Sequence, residues 1–183
     1  MKRSIQSFHV HGFTLVELLI TIAIIGILSL MGLSTFMTTQ KKGRDFQRKA
    51  SLAALGKALE SYMNDKGVYP PSIHGKILWC GTEALPESDA CEWGVPFADP
   101  LPEDPDADNP FVYMKALPKD PAGNLNFRYE AVDIGGVNKG YRIYAHLEND
   151  QDPDVFTTTV MCGALACNFA VTSETVARPT PMP

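Results

Sequence analysis

The sequence predicts an α+β chain: a long N-terminal helix, membrane-spanning in its first half and amphipathic in its second, packed on a small antiparallel β-sheet. Three observations predict it. An apolar run fills residues 13–37 and holds a single charge, Glu17. Leu52, Leu55, Leu59, Tyr62 and Met63 then recur at helical spacing. Residues 126–172 carry alternating apolar and polar side chains between Gly- and Asp-rich turns.

Each element has its own grounds. At ~1.5 Å of rise per residue, the apolar run can cross a hydrocarbon core of roughly 30 Å. Gly26 and Gly32 allow close helix packing within it. A charged residue at membrane depth costs about 2.5–3.5 kcal/mol at the helix centre, so Glu17 needs a reason to be there; snorkelling toward the interface is the bland one. Residues 38–66 form the amphipathic half, with Arg48, Lys49, Lys57, Glu60 and Asn64 expected to face away from the stripe. Gly43 is a weak point between the halves, Gly67 a C-terminal cap, and Pro70-Pro71 prevents continuation. Residues 67–125 read as a loop-rich region with short elements. Strands are expected over residues 126–132, 140–147 and 155–160, a short edge over 169–171, and a loose tail over 173–183.

At 183 residues the chain holds one anchor and one modest domain. Its formal charge of −5 lacks the basic excess of a nucleic-acid binder. The basic residues that cluster, Lys41, Lys42, Arg44, Arg48 and Lys49, follow the apolar run directly. The stretch before the run, residues 1–11, is too polar for a secretory signal peptide, so the run is expected to stay in the mature chain.

Cys80, Cys91, Cys162 and Cys167 lack the close pairs of a zinc ribbon and are expected as two disulfides; of three connectivities, sequence-adjacent pairing is the expected one. Asp104, Asp106 and Asp108 alternate as in an EF-hand, but Asn109 replaces the sixth-position Gly and Lys115 the twelfth-position Glu, which leaves a solvated acidic loop. Glu148, Asn149, Asp150, Asp152 and Asp154 offer hard oxygen donors that suit calcium, at a spacing that is not diagnostic. Nothing supports an enzyme. Gly-x-Ser-x-Gly, a phosphate-cradling Gly loop and His-Glu-x-x-His are all missing, and His74 and His146 have no partner by spacing.

Gly12-Phe13-Thr14-Leu15-Val16-Glu17, after a short basic leader and before an apolar helix, resembles the prepilin signature of type IV pilins and type II secretion pseudopilins. The resemblance implies a pilin-like fold, cleavage between Gly12 and Phe13 by a prepilin peptidase, and N-methylation of the new Phe13 amine. Loss of residues 1–12 removes Lys2 and Arg3 and leaves 14 basic against 21 acidic residues, a formal −7. The Phe13 amine and the Glu17 carboxylate are then one helical turn apart. In a stack of staggered subunits, the amine of an incoming chain can pair with Glu17 of a chain already in place, offsetting the cost of both charges and setting the axial register. Many relatives carry a proline in the second half of this segment; here none precedes Pro70.

Tyr69-Pro70, then Leu117-Pro118-Lys119-Asp120-Pro121 and Gly123-Asn124, are similar to the major, G-type pseudopilin. That likeness implies a structural subunit of a secretion pseudopilus. It also implies calcium in a loop near residues 148–154, although the Gly-rich pattern of that loop is missing. The cysteines pull toward the alternative, a type IV pilin for adhesion, motility or DNA uptake. A membrane-tethered enzyme or binding domain is the alternative of another class. Implied partners are further copies of the chain, minor (pseudo)pilins, the prepilin peptidase, and an inner-membrane platform with its ATPase. Implied topology is a single pass of the inner membrane, N-terminus cytoplasmic and C-terminal domain periplasmic or extracellular. A count of flanking Lys and Arg alone would reverse it. The cysteines need an oxidising compartment, and the basic cluster at residues 41–49 would then meet lipid headgroups outside.

Overall fold

The computed structural model describes residues 12–78, 90–98 and 111–179, with the side chains of residues 30–34 left aside. Residues 1–11 of the leader, Cys80, and Asp104, Asp106 and Asp108 lie outside the described residues. The expected α+β class is what the structure has: among the described residues, one helix, α1 (Leu15–Lys66), then seven short strands in three antiparallel sheets. The chain divides into two compact units, Met1–Gln40 and Lys41–Pro183.

In the first unit α1 begins after Thr14, whose hydroxyl accepts the Glu17 N–H at 3.2 Å and so caps the helix. Thr21, Ser29 and Thr39 donate their hydroxyls back to helix carbonyls three or four residues earlier, at 2.7–2.8 Å. Those polar groups are thereby satisfied inside the helix. Among the described residues no helix is long and apolar enough to cross a membrane; the described side chains of the apolar run stop at Ser29 and resume at Thr35.

In the second unit α1 continues unbroken through Gly43. It ends where Gly67, at φ +72°, donates its N–H to Met63 O at 2.8 Å. Leu52, Leu55, Leu59 and Tyr62 are buried as their spacing predicts, and Met63 is partly buried. They pack on a three-stranded sheet of β5 (Arg128–Asp133), β6 (Asn138–Ala145) and β7 (Phe169–Thr172), in order β5-β6-β7. Strand alternation divides this sheet between two cores. Tyr129, Tyr141, Ile143, Ala145 and Phe169 face the helix; Tyr144 and Ala170 face a smaller cluster with Phe156 and Cys162–Cys167. Gly56 lets the sheet approach, since a Cβ there would meet the Tyr141 hydroxyl at 2.9 Å.

The loop-rich region holds two small hairpins, β1 (Ser72–Ile73) with β2 (Lys76–Ile77), and β3 (Phe97–Ala98) with β4 (Val112–Met114). The first is tied to β5 by the Tyr129 N–H on Gly75 O at 2.8 Å, and by the Tyr129 hydroxyl on Pro70 O at 2.7 Å.

One expected strand is corrected. Residues 155–160 form no strand, and the third strand of the sheet is β7. The Val155 N–H bonds back to Asp152 O at 3.1 Å, closing an acidic turn, and the Phe156 N–H goes to Asn168 O. The edge of β6 is already occupied by β7, in register Arg142↔Thr172 to Ala145↔Phe169. The Cys162–Cys167 bridge folds the intervening chain into a tight loop instead.

Candidate assembly and clamp sites

The residues of the expected processing site are accessible. Gly12 is exposed and Phe13 is 84% exposed, just ahead of the Thr14 cap. Beyond it the large apolar side chains from Leu15 to Leu28 are all more than half exposed, on every face of the helix. A helix apolar all round has no water-facing side, so this one needs lipid or other helices to cover it. Glu17 is exposed too, and is the only charged residue between positions 12 and 40.

The second unit contains a polar centre that the sequence reading missed. Arg48, expected to face away, has a fully buried side chain. Its Nε and Nη2 donate to Asp120 Oδ2 and Oδ1 at 2.7 and 2.9 Å, a bidentate pair. Its Nη1 donates to Asp45 Oδ1 and Glu148 Oε1, both at 2.8 Å. Burial works against the guanidinium charge, but the three carboxylates outweigh it and push the Arg48 pKa up. Asp45 also accepts the N–H groups of Glu148 and Asn149 at 2.9 Å, and Asp120 accepts the Ala122 N–H at 2.8 Å. The signal was present in the heptad-like spacing, because 45, 48, 52, 55, 59 and 62 continue one stripe. An arginine in that stripe must be buried, so the fold needed acids to meet it; Asp120 comes from the Leu117-Pro118-Lys119-Asp120-Pro121 segment.

The rest of the basic cluster is used in the same way. Arg44 binds both oxygens of Glu148. Lys49 donates to Asp152 Oδ1 and Asp154 Oδ2, each at 2.7 Å, and lies 5.2 Å from the Phe169 ring centre. Arg44, Arg48 and Lys49 therefore meet the protein's own acids rather than lipid headgroups; Lys41 and Lys42 remain exposed. Hydrogen bonds from Arg44 hold the Glu148 carboxyl at about 2; burial opposes them and Arg48 adds to them. Burial also pulls on the Lys49 ammonium, but Asp152 and Asp154 keep it above its ordinary value.

Of the expected bridges, Cys162–Cys167 is present. Cys91 is disulfide-bonded as well. Asp150 is exposed, and Asn149 is held through its backbone N–H. Among the described residues no three His, Cys, Asp or Glu side chains converge as a metal site.

Residues 8–33 match the family described as the prokaryotic N-terminal methylation motif. The chain is 31% identical to the type II secretion system core protein G of Pseudomonas aeruginosa, over 85% of this chain and 96% of that protein. The chain belongs to the type II secretion core protein G family. The core protein G of Escherichia coli K12 is also 31% identical, over 62% of this chain and 67% of its own length. Likeness to the type IV major pilin of Myxococcus xanthus, at 40% identity, covers only 32% of this chain and 26% of that pilin. That pilin thus shares a short stretch, whereas the core protein G of Pseudomonas aeruginosa is similar over the domain as well. No solved structure matches. The chain is a pseudopilin, a structural subunit, and its N-terminal signature marks a membrane-anchored, pseudopilus-associated protein.

Proposed function

We propose that this pseudopilin is cut between Gly12 and Phe13, is N-methylated at Phe13, and assembles through a Phe13 amine to Glu17 contact between subunits. The observation that carries this is Glu17 itself, one carboxylate at the capped start of a helix whose apolar side chains are otherwise exposed on all faces. In a membrane-held monomer Glu17 meets water only by snorkelling to the interface; between packed helices the two charges can meet each other. Before assembly the apolar run at residues 13–37 holds the subunit in the inner membrane, with the leader cytoplasmic and the domain at residues 41–183 outside. Disulfides in that domain support an oxidising compartment. A platform protein and its ATPase would add subunits at the membrane, minor pseudopilins would join the same filament, and growth would push secreted protein outward.

The disulfide and the short pilin likeness favour a second filament, a type IV pilus. Deletion separates the two: accumulation of secreted proteins in the periplasm marks the pseudopilus, and loss of long surface fibres with secretion intact marks the pilus. The mechanism is tested by Glu17→Ala in the native host. Membrane insertion and an N-terminal peptide starting at methylated Phe13 are expected to persist, while sedimentable filaments disappear. Filaments from E17A at the parental level, or a parent chain that keeps residues 1–12, would refute the mechanism and favour a tethered domain.

A further inference from the structure

The segment at residues 148–154 is expected, by resemblance, to take calcium, which asks for about six to eight oxygens at 2.3–2.6 Å. Three of its donors, Glu148, Asp152 and Asp154, do not fit that ion, because each is already engaged by a cation of the chain. Both Glu148 oxygens accept hydrogen bonds from Arg44, and Oε1 takes Arg48 as well. Asp152 Oδ1 takes Lys49 Nζ at 2.7 Å and the Asp154 N–H at 3.0 Å. Asp154 Oδ2 takes the same Nζ at 2.7 Å. One ammonium thus lies between two carboxylates of the loop, where a bridging cation would stand.

We propose that Lys49, with Arg44 and Arg48, is a built-in cation that neutralises and folds the 148–154 loop, so that this chain does not use a divalent ion there. Three features support the substitution. The cations project from a helix whose next two turns are fixed by fully buried Leu52 and Leu55, so packing outside the loop holds their positions. A tethered charge loses no translational freedom on pairing, whereas a free ion does. A dication entering the loop would have to displace Lys49 and would meet the positive charges of Arg44 and Arg48 beside Glu148. The inference stands apart from the filament mechanism, since it concerns the folding of one domain.

Thermal unfolding of the full chain in detergent micelles tests it, in EGTA against millimolar CaCl2. The melting temperature is expected to agree within about 1 °C between the two. A calcium site filled to a hundred times its dissociation constant would raise it by roughly 5–10 °C in a chain of this size. Such a rise, or saturable one-site calcium binding in a titration, overturns the proposal. Lys49→Gln removes the charge and keeps a polar side chain one atom shorter. It is expected to lower the melting temperature by roughly 2–6 °C, and a variant that melts with the parent overturns the proposal too. Should K49Q not fold, the parent's response to calcium decides.

Discussion

Removing the charge of Arg48 while keeping its bulk, as in Arg48→Met, leaves Asp120 and Asp45 as carboxylates whose side chains are only 1% and 4% exposed. Breaking a buried pair by deleting one partner typically costs about 3–5 kcal/mol, because the other charge stays desolvated. Here the losses are partly cushioned. Asp45 keeps two backbone N–H donors, Asp120 keeps one, and Glu148 keeps Arg44. That places R48M at about 3–4 kcal/mol. At roughly 2–4 °C per kcal/mol for a chain of 150–250 residues, the melting temperature should fall by roughly 6–16 °C. Circular dichroism of the full chain in detergent micelles measures it. Arg48→Lys should fall between parent and R48M, since an ammonium keeps the charge but not the fork that Asp120 receives. In the double variant R48M/D120L the carboxylate left behind is removed as well, so it should recover part of the R48M loss. A drop below about 2 °C for R48M, or no coupling in the double variant, would refute the account of Arg48 as the matched polar centre of the domain.

Two further outcomes follow from the same geometry. The folded-state pKa of Glu148, about 2, lies below its ordinary 4.5, so the unfolded chain takes up the proton first. The stability due to Glu148 is therefore complete above pH about 4.5 and is lost as pH falls toward about 2. A melting temperature measured across that window should fall with pH and should fall less steeply in Glu148→Gln; a parallel slope in E148Q would contradict this. Replacing Cys162 and Cys167 together by Ser opens a loop of sequence separation 5 and should cost about 2 kcal/mol, loosening the cluster of Tyr144, Phe156 and Ala170. Urea unfolding of the oxidised parent and the double Ser variant reads the difference, and coincident curves would show that packing alone closes that loop.

The local patterns of the chain specified a good deal. The prepilin signature at Gly12-Phe13 and Glu17, the stripe at Leu52, Leu55, Leu59 and Tyr62, and the Gly67 stop are all written in short-range periodicity and turn chemistry. The paired strands β5 and β6 are legible for the same reason, since Phe127 and Tyr129 alternate with polar neighbours. Their register and the choice of β7 as the third strand are not, because an edge can be filled by any segment with the right alternation. The acidic turn and the Cys162–Cys167 loop took residues 155–160 out of contention. The polar centre was equally out of reach. Arg48 meets Asp120 and Glu148 across sequence separations of 72 and 100, and Lys49 meets Asp152 across 103. A charge run on a helix looks solvated until the fold brings its partners. The helix, its buried stripe and the N-terminal methylation motif depend on neighbours within a turn or two, so the linear order of residues is enough to specify them. Which charges are buried depends on the folded chain, because a charge can leave water only where distant loops deliver its counter-charges.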